Sequence, residues 1–343
     1  MIKVLVVEDS AFMRQIFKKT LNEEPNIKVV GTAYNGKNAL AKIPKLNPDV
    51  ITLDIEMPIK SGMETLEEII KLKEPPPVII VSALDNKDTV MKALEIGAFD
   101  FIAKPSGKIS LSIEEIKEKL KDKIKAAAKS ENKTKQSKKP QKTISKKFSP
   151  KNKKQFPIIA IGSSSGGPKA LNKLLPVFPE NFPAGFIIVQ HMPAGFTESL
   201  ADRLNSTCNI TVKEAEENDR IKSSHALLAP GDFHLTINKE KKIQLNQKPK
   251  KWGVRPCVDY TMSSAAKIYR ERVIGIILTG MGHDGASGMI DIKKYNGYGI
   301  VEDKSTALVY GMPSATIKAG AYDKILPLDE IGLFIRDVIE RRY

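Results

Sequence analysis

The chain has 343 residues, 41% of them hydrophobic and 28% charged, with a formal net charge of +15, which suits two domains that each bury a core. Two distant cysteines, Cys208 and Cys257, form no CxxC pair, which excludes a disulfide scaffold or cysteine-built zinc site and leaves them as packing residues. No apolar stretch is long enough to span a bilayer, and MIKVLVVEDS lacks the pattern of a secretory leader, so a cytoplasmic protein without membrane insertion is expected.

Residues 1–125 alternate apolar β-branched runs with amphipathic stretches. Strands are expected at Ile2–Val7, Ile27–Val30, Val50–Leu53, Val78–Val81 and Phe99–Ala103, with helices such as Ser10–Leu21 and Gly62–Leu72 between them. Near-continuous apolar strands alternating with helices predict a parallel sheet covered on both faces, which binds ligands beyond the carboxyl ends of its strands. Glu8 and Asp9 follow the first strand, Asp54 ends the third, Ser82 ends the fourth, and Lys104-Pro105 ends the fifth. Three carboxylates at one sheet edge would repel one another unless joined by a hard divalent cation such as Mg²⁺. The cation and Lys104 would neutralise phosphoryl oxygens arriving at Asp54, while the Ser82 hydroxyl supplies a hydrogen bond.

These residues, with the run Asp54-Ile55-Glu56-Met57-Pro58 and the pair Ser82-Ala83, resemble the receiver domain of two-component response regulators. The resemblance implies that Asp54 accepts phosphate from a sensor histidine kinase. It further implies that Glu8, Asp9, Asp54 and the Glu56 backbone carbonyl hold Mg²⁺, that Ser82 and Lys104 contact the phosphoryl group, and that Phe101 is an aromatic switch residue.

Residues 126–155 are expected to be a flexible linker. Lys129–Gln155 carries eleven lysines and one acid, a net +10, so most of the excess charge lies outside the folded domains. With so few apolar residues the segment cannot offset its ordering entropy. A solvated spacer is favoured over a tether to an acidic partner or anionic lipid. No helix-turn-helix pattern flanks it, so nucleic-acid binding is not expected; binding that survived deletion of 129–155 would reverse that reading.

The second domain, 156–343, repeats the α/β grammar. Strands are expected at Pro157–Ile161, Gly185–Gln190, Ala226–Leu228 and Val273–Leu278, and helices at Lys169–Leu175 and Val258–Tyr269. An antiparallel hairpin is expected from 234–238 and 242–245. The first strand runs into Gly162-Ser163-Ser164-Ser165-Gly166-Gly167, a G-x-S-x-G turn that would expose Ser164 at a strand-to-helix corner. Such a turn could also cradle phosphate, although the lysine of a P-loop is absent. Of four histidines, His191 follows the Gly185–Gln190 strand, where it can meet Ser164 as a base. His225 precedes a strand, His234 lies in a turn, and His283 is the rival base in the loop Thr279–Ala286. Asp284 in that loop is the best-placed carboxylate to orient an imidazole.

Gly162–Gly167, Gln190-His191-Met192-Pro193, Ala229-Pro230-Gly231-Asp232 with His234, and Leu278–Ala286 resemble the chemotaxis methylesterase domain. The whole chain resembles the CheB family of response-regulator protein-glutamate methylesterases. The expected fold class is α/β: two doubly wound domains, an N-terminal (βα)5 receiver and a C-terminal parallel-sheet serine hydrolase with an antiparallel hairpin. The resemblance implies hydrolysis of glutamyl methyl esters on the cytoplasmic helices of chemoreceptors by Ser164, His191 and Asp284. Backbone N–H groups near Ser165 and Met281 would support the oxyanion, no cofactor would serve the esterase step, and glutamine could be deamidated by the same acyl chemistry. It also implies cytoplasmic localisation with recruitment to membrane receptor arrays. The sequence departs from the family at Cys257, where serine is usual, and at His283, where a small or polar residue is common. A receiver with a nucleic-acid-binding output and a non-catalytic adaptor are the alternatives.

Overall fold

The computed structural model describes residues 1–83, 85–104, 113–130 and 156–342; Pro105 and most of the expected linker, residues 131–155, lie outside that set. The chain divides into two units. In the first, five apolar runs form β1 (Ile2–Val7), β2 (Ile27–Ala33), β3 (Val50–Asp54), β4 (Val78–Ser82) and β5 (Asp100–Ala103). They pair in parallel in the order β2-β1-β3-β4-β5, with helices α1 (Ala11–Asn22), α2 (Gly36–Leu46), α3 (Gly62–Ile69), α4 (Lys87–Ile96) and α5 (Ile113–Lys129). Polar residues just past the strands start several helices. The Ser10 hydroxyl accepts from Met13 N–H, Asn35 from Asn38 N–H, and Ser61 exchanges bonds with Glu64 in a capping box. Ser10 is therefore the cap of the expected Ser10–Leu21 helix. The strand order reverses between β1 and β3, which opens a crevice at their carboxyl ends.

The second unit holds β6 (Ile158–Ser163), β7 (Gly185–Gln190), β8 (Thr211–Glu214), β9 (His225–Leu228), β10 (His234–Ile237), β11 (Ile243–Asn246), β12 (Val273–Ile277), β13 (Tyr298–Glu302) and β14 (Lys324–Leu326). Seven strands form a parallel sheet in the order β14-β13-β12-β6-β7-β9-β8, while β10 and β11 make the antiparallel hairpin. The helices are α6 (Gly167–Leu174), α7 (Phe196–Thr207), α8 (Val258–Tyr269), α9 (Ala286–Lys294), α10 (Gly311–Lys318) and α11 (Leu328–Arg342). Ile158, Ile187, Val273 and Ile277 from the central strands are buried with Val258, Met262 and Met289 from the helices above them. Strand order reverses between β6 and β12. Loops leaving β6, β7 and β12 therefore converge at one edge, where a doubly wound sheet binds its ligand.

Candidate functional site

At the first crevice, carboxylate oxygens of Glu8, Asp9 and Asp54 lie within 4.8 Å of one another. Lys104 Nζ, carried past β5, is 2.6 Å from Asp54 Oδ2 and 3.0 Å from Glu8 Oε1. One ammonium cannot balance this cluster. Burial, then the neighbouring Asp54 charge, pushes the Glu8 carboxyl up to about 7. Burial and Asp9 likewise raise Asp54 above its ordinary value despite the bonds from Lys104. Burial alone would lower Lys104, but its two carboxylate partners outweigh that and hold it protonated. Acids that resist ionisation until a positive charge arrives, with only oxygen donors, fit a hard divalent cation. Arg14 Nη1 fixes the acidic loop by donating to the carbonyls of Glu8 and Asp9, each at 2.7 Å. Ser82 is buried at the end of β4, and Phe101 is buried in β5. Glu56 lies in the loop after β3, where its side chain accepts from Asn86 Nδ2 at 3.0 Å.

At the second crevice, β6 and β7 pair through Ser163 and Gln190, and His191 N–H donates to Ser163 O at 3.1 Å. Ser164 and His191 are thus the next residues on neighbouring strands, which run about 4.8 Å apart. The turn at Ser164 is fixed from three directions. Ser164 N–H donates to Thr279 O (3.0 Å), Gly167 N–H donates to Ser164 O (2.8 Å), and Gln190 Nε2 donates to the same carbonyl (2.9 Å). The fit excludes side chains at two glycines. A Cβ at Gly280 would lie 2.9 Å from Ser164 Cβ, and one at Gly167 would lie 1.9 Å from Gln190 Oε1. Met281 follows Gly280 directly, and Ser165 is buried in the turn.

His191 Nε2 is 2.8 Å from Asp284 Oδ2. Asp284 is buried at the N-terminus of α8, accepting from Val258 N–H (2.7 Å), Asp259 N–H (3.0 Å) and Cys257 Sγ (3.1 Å). Burial alone would raise this carboxyl, but the bond to His191 and the two backbone N–H groups outweigh it and hold it below its ordinary value. With Nε2 facing Asp284, Nδ1 is the ring nitrogen left for a serine proton. The arrangement offers a serine in a strand-to-helix turn, a histidine at the matching position past the neighbouring strand and an ionised carboxylate bonded to that histidine. That is the constitution of a nucleophilic acyl-transfer site.

A family model described as CheB methylesterase matches residues 159–335, and one described as response regulator receiver domain matches residues 4–116. A protein-glutamate methylesterase/protein-glutamine glutaminase of Pyrococcus abyssi is 44% identical over 338 residues, covering 96% of this chain and 91% of its own length. The chain belongs to the CheB methylesterase family. A protein of the same description from Thermotoga maritima is 45% identical over 335 residues, 96% of each chain. The solved methylesterase catalytic domain of Thermotoga maritima CheB matches with 46% identity and a TM-score of 0.52, covering 55% of this chain and 99% of that domain. The α/β class and the paired receiver and methylesterase domains agree with the expectation from sequence.

Within this methylesterase the other histidines are placed elsewhere. His283 is exposed and meets the Trp252 ring edge-on at 4.2 Å. His225 bonds Ser223 O with Nδ1 at the start of β9. His234 is buried in β10 against Tyr260, and burial lowers its pKa. The roles of two residues escaped the sequence reading. Gln190 ties the serine turn to the histidine loop by also accepting from Ser163 Oγ at 2.7 Å. Asp259 in α8 accepts from Gly285 and Gly288 N–H of the Asp284 loop and α9. A polar residue ending an otherwise apolar strand was the available signal for Gln190. An acid in the first turn of a helix looks ordinary, so Asp259 carried none. Cys257, expected only to pack, also donates to Asp284. Its thiol is held protonated by burial and then by the Asp284 charge. The Cys257, Asp259 and Asp284 cluster is unsuited to a cation, because its carboxylates face N–H, thiol and ammonium donors.

Proposed function

We propose that the chain hydrolyses γ-glutamyl methyl esters on chemoreceptor cytoplasmic domains to glutamate and methanol, under control of phosphorylation at Asp54. The contact that carries the reading is His191 with Asp284, beside a serine turn at the switch point of the sheet. Ser164 Oγ attacks the ester carbonyl as His191 Nδ1 takes its proton. The tetrahedral intermediate collapses, and methoxide leaves with that proton as methanol. Water then attacks the acyl-serine, gives a proton to His191, and Ser164 recovers it as glutamate departs. Asp284 keeps Nε2 protonated and stabilises the imidazolium. Backbone N–H groups of Ser165 and Met281 face the developing oxyanion. Glutamine would enter the same cycle with ammonia leaving.

Residues 1–125 act as the receiver, 126–155 as a solvated spacer whose first residues, 126–129, continue helix α5, and 156–343 as the esterase. When bound, Mg²⁺ would supply positive charge against the charge that builds during phosphoryl transfer. Glu8, Asp9, Asp54 and the Glu56 carbonyl would hold it, Ser82 and Lys104 would bind the phosphoryl oxygens, and Phe101 would respond as the switch. The phosphodonor is a sensor histidine kinase. Among the described residues no helix is long and apolar enough to cross a membrane. In this reading the enzyme is recruited to receptor arrays from the cytoplasm. The test is methanol release from methylated chemoreceptor membranes, with and without a small phosphodonor and Mg²⁺. Wild type should release methanol faster when phosphorylated and Ser164→Ala none; no release from wild type in either state sinks the reading.

A further inference from the structure

We propose that Asp259, gripped by the turn Lys251–Val254, is a positioning residue for the pair formed by Asp284 and His191; this rests on the acyl-transfer reading above. Two acids and two helix starts are exchanged across the site. Asp284 immediately precedes the Gly285 cap of α9, yet its carboxylate satisfies the start of α8 through Val258 and Asp259 N–H. Asp259 belongs to the first turn of α8, yet its Oδ1 satisfies the start of α9 through Gly285 N–H at 2.9 Å and Gly288 N–H at 2.8 Å. Both acids are almost wholly buried, 2% and 1% exposed. The two helices are also closely packed: a Cβ at Gly288 would lie 2.7 Å from Met262 Cβ. The loop 281–285 contains Gly282 and Gly285 at positive φ and would otherwise be free to drift. The reciprocal caps remove that freedom, since Asp284 cannot move without breaking a bond on each helix.

The other oxygen of Asp259 explains a strained surface turn. Asp259 Oδ2 accepts from Trp252 Nε1 at 2.9 Å and Lys251 Nζ at 3.0 Å. Lys251 and Val254 close the turn with two backbone bonds, which places Trp252 at φ +57° and Gly253 at φ +74°. An aromatic residue in the left-handed region is disfavoured and persists only where its surroundings over-determine it. Here the indole N–H is fixed on Asp259, and the ring meets both His283 edge-on and the Lys251 ammonium, 5.4 Å from its centroid. The strain thus serves a donor aimed at the acid that fixes the catalytic loop. A misplacement near 1 Å in such a site can cost about 100-fold in rate.

The test uses the full chain and separates positioning from simple capping. In Asp259→Asn, whichever way the amide turns, an N–H₂ faces N–H or ammonium donors on one side. Its kcat for methanol release should fall about tenfold or more with KM within about twofold, because the ester still binds. Trp252→Phe, which keeps a ring on His283 and removes only the donor, should lose about threefold in kcat. The double variant should be no slower than Asp259→Asn alone, since losing the indole N–H relieves the donor clash. Trp252 is the only tryptophan. Its emission should therefore move to the red in Asp259→Asn as the turn lets go.

A lowered melting temperature with kcat within twofold of wild type in both single variants would make Asp259 a structural cap and overturn the proposal. So would losses that multiply in the double variant. If Asp259→Asn fails to fold, Trp252→Phe decides alone: an unchanged kcat refutes. If wild type releases no methanol, the functional reading fails instead. The rate of fluorophosphonate labelling at Ser164 then replaces kcat in every comparison.

Discussion

Asp54 ends a parallel strand and Asp284 lies in the loop that follows one, each beside a point where strand order reverses, yet their surroundings have opposite character. Around Asp54 the nearest groups are other acids, and one lysine serves two of them. Both Asp54 and Glu8 are raised in consequence. Around Asp284 the neighbours are backbone N–H groups, a thiol and an imidazole, and the carboxyl is lowered. A carboxylate met by fixed donors needs nothing further to be ionised and oriented. One met by other carboxylates is complete only when external positive charge arrives. The first arrangement suits a site that must be ready at all times, the second a site that must report an event.

The largest effect that separates them comes from the same substitution at each place. Asp284→Asn should lower methanol release about 10³-fold or more, because the amide can no longer hold His191 protonated at Nε2. Asp54→Asn should leave unstimulated release within about twofold and abolish the response to phosphodonor. Stability should move in opposite senses near pH 8. The amide at 284 sets N–H₂ against buried N–H donors at a cost of about 1–3 kcal/mol. At 54 it relieves crowding that the fold disfavours. Melting temperatures of both variants check this; a loss of stability at both positions would break the contrast.

A smaller effect follows from pH and cation. Glu8 rises from an ordinary 4.5 to about 7, so between those values the folded state binds more protons than the unfolded one. Stability from this group therefore falls as pH rises through that window and stays low above it. Asp284 has the opposite sign: its contribution is present above the ordinary carboxylate range and is lost as pH falls through its lowered value. Millimolar Mg²⁺ should raise the melting temperature of the full chain by about 4 °C near pH 8 and by much less near pH 5. Glu8→Gln should flatten that difference. An equal Mg²⁺ effect at both pH values would show that carboxylate crowding does not govern the pocket.

The parts of the molecule that sequence made legible are those where one residue breaks an apolar pattern. Glu8, Asp54, Ser82 and Lys104 each interrupt or follow a hydrophobic strand, and a parallel sheet must bring such positions to one edge. Ser164 and His191 were legible for the same reason. Strands β8 and β14 were not, because Thr211–Glu214 and Lys324–Leu326 are short and at the sheet edges, where polar residues blur the period. Strand β13 is buried but contains Gly299 and ends in Glu302, a buried acid that accepts from Thr279 N–H at 2.7 Å. The exchange of caps by Asp259 and Asp284 was invisible because it depends on two helix starts, 258 and 286, meeting in space. No spacing encodes that meeting.

The smallest effect tests how far the donors around Asp284 are redundant. Cys257 is one of three donors at this carboxylate besides His191, and a thiol donates more weakly than an N–H. Its pKa is raised, so it stays a neutral donor and places no second negative charge beside Asp284. Cys257→Ser supplies a shorter but stronger hydroxyl donor and should keep methanol release within about twofold of wild type. Cys257→Val removes the donor and leaves Val258 and Asp259 N–H in place, so the loss should be about threefold rather than the 10³-fold of Asp284→Asn. Steady-state rates of the two variants decide the matter. A loss above about tenfold in the serine variant would mean that the thiol, not the start of α8, sets the carboxylate, and that the second crevice is less complete in its backbone than the contrast with Asp54 requires.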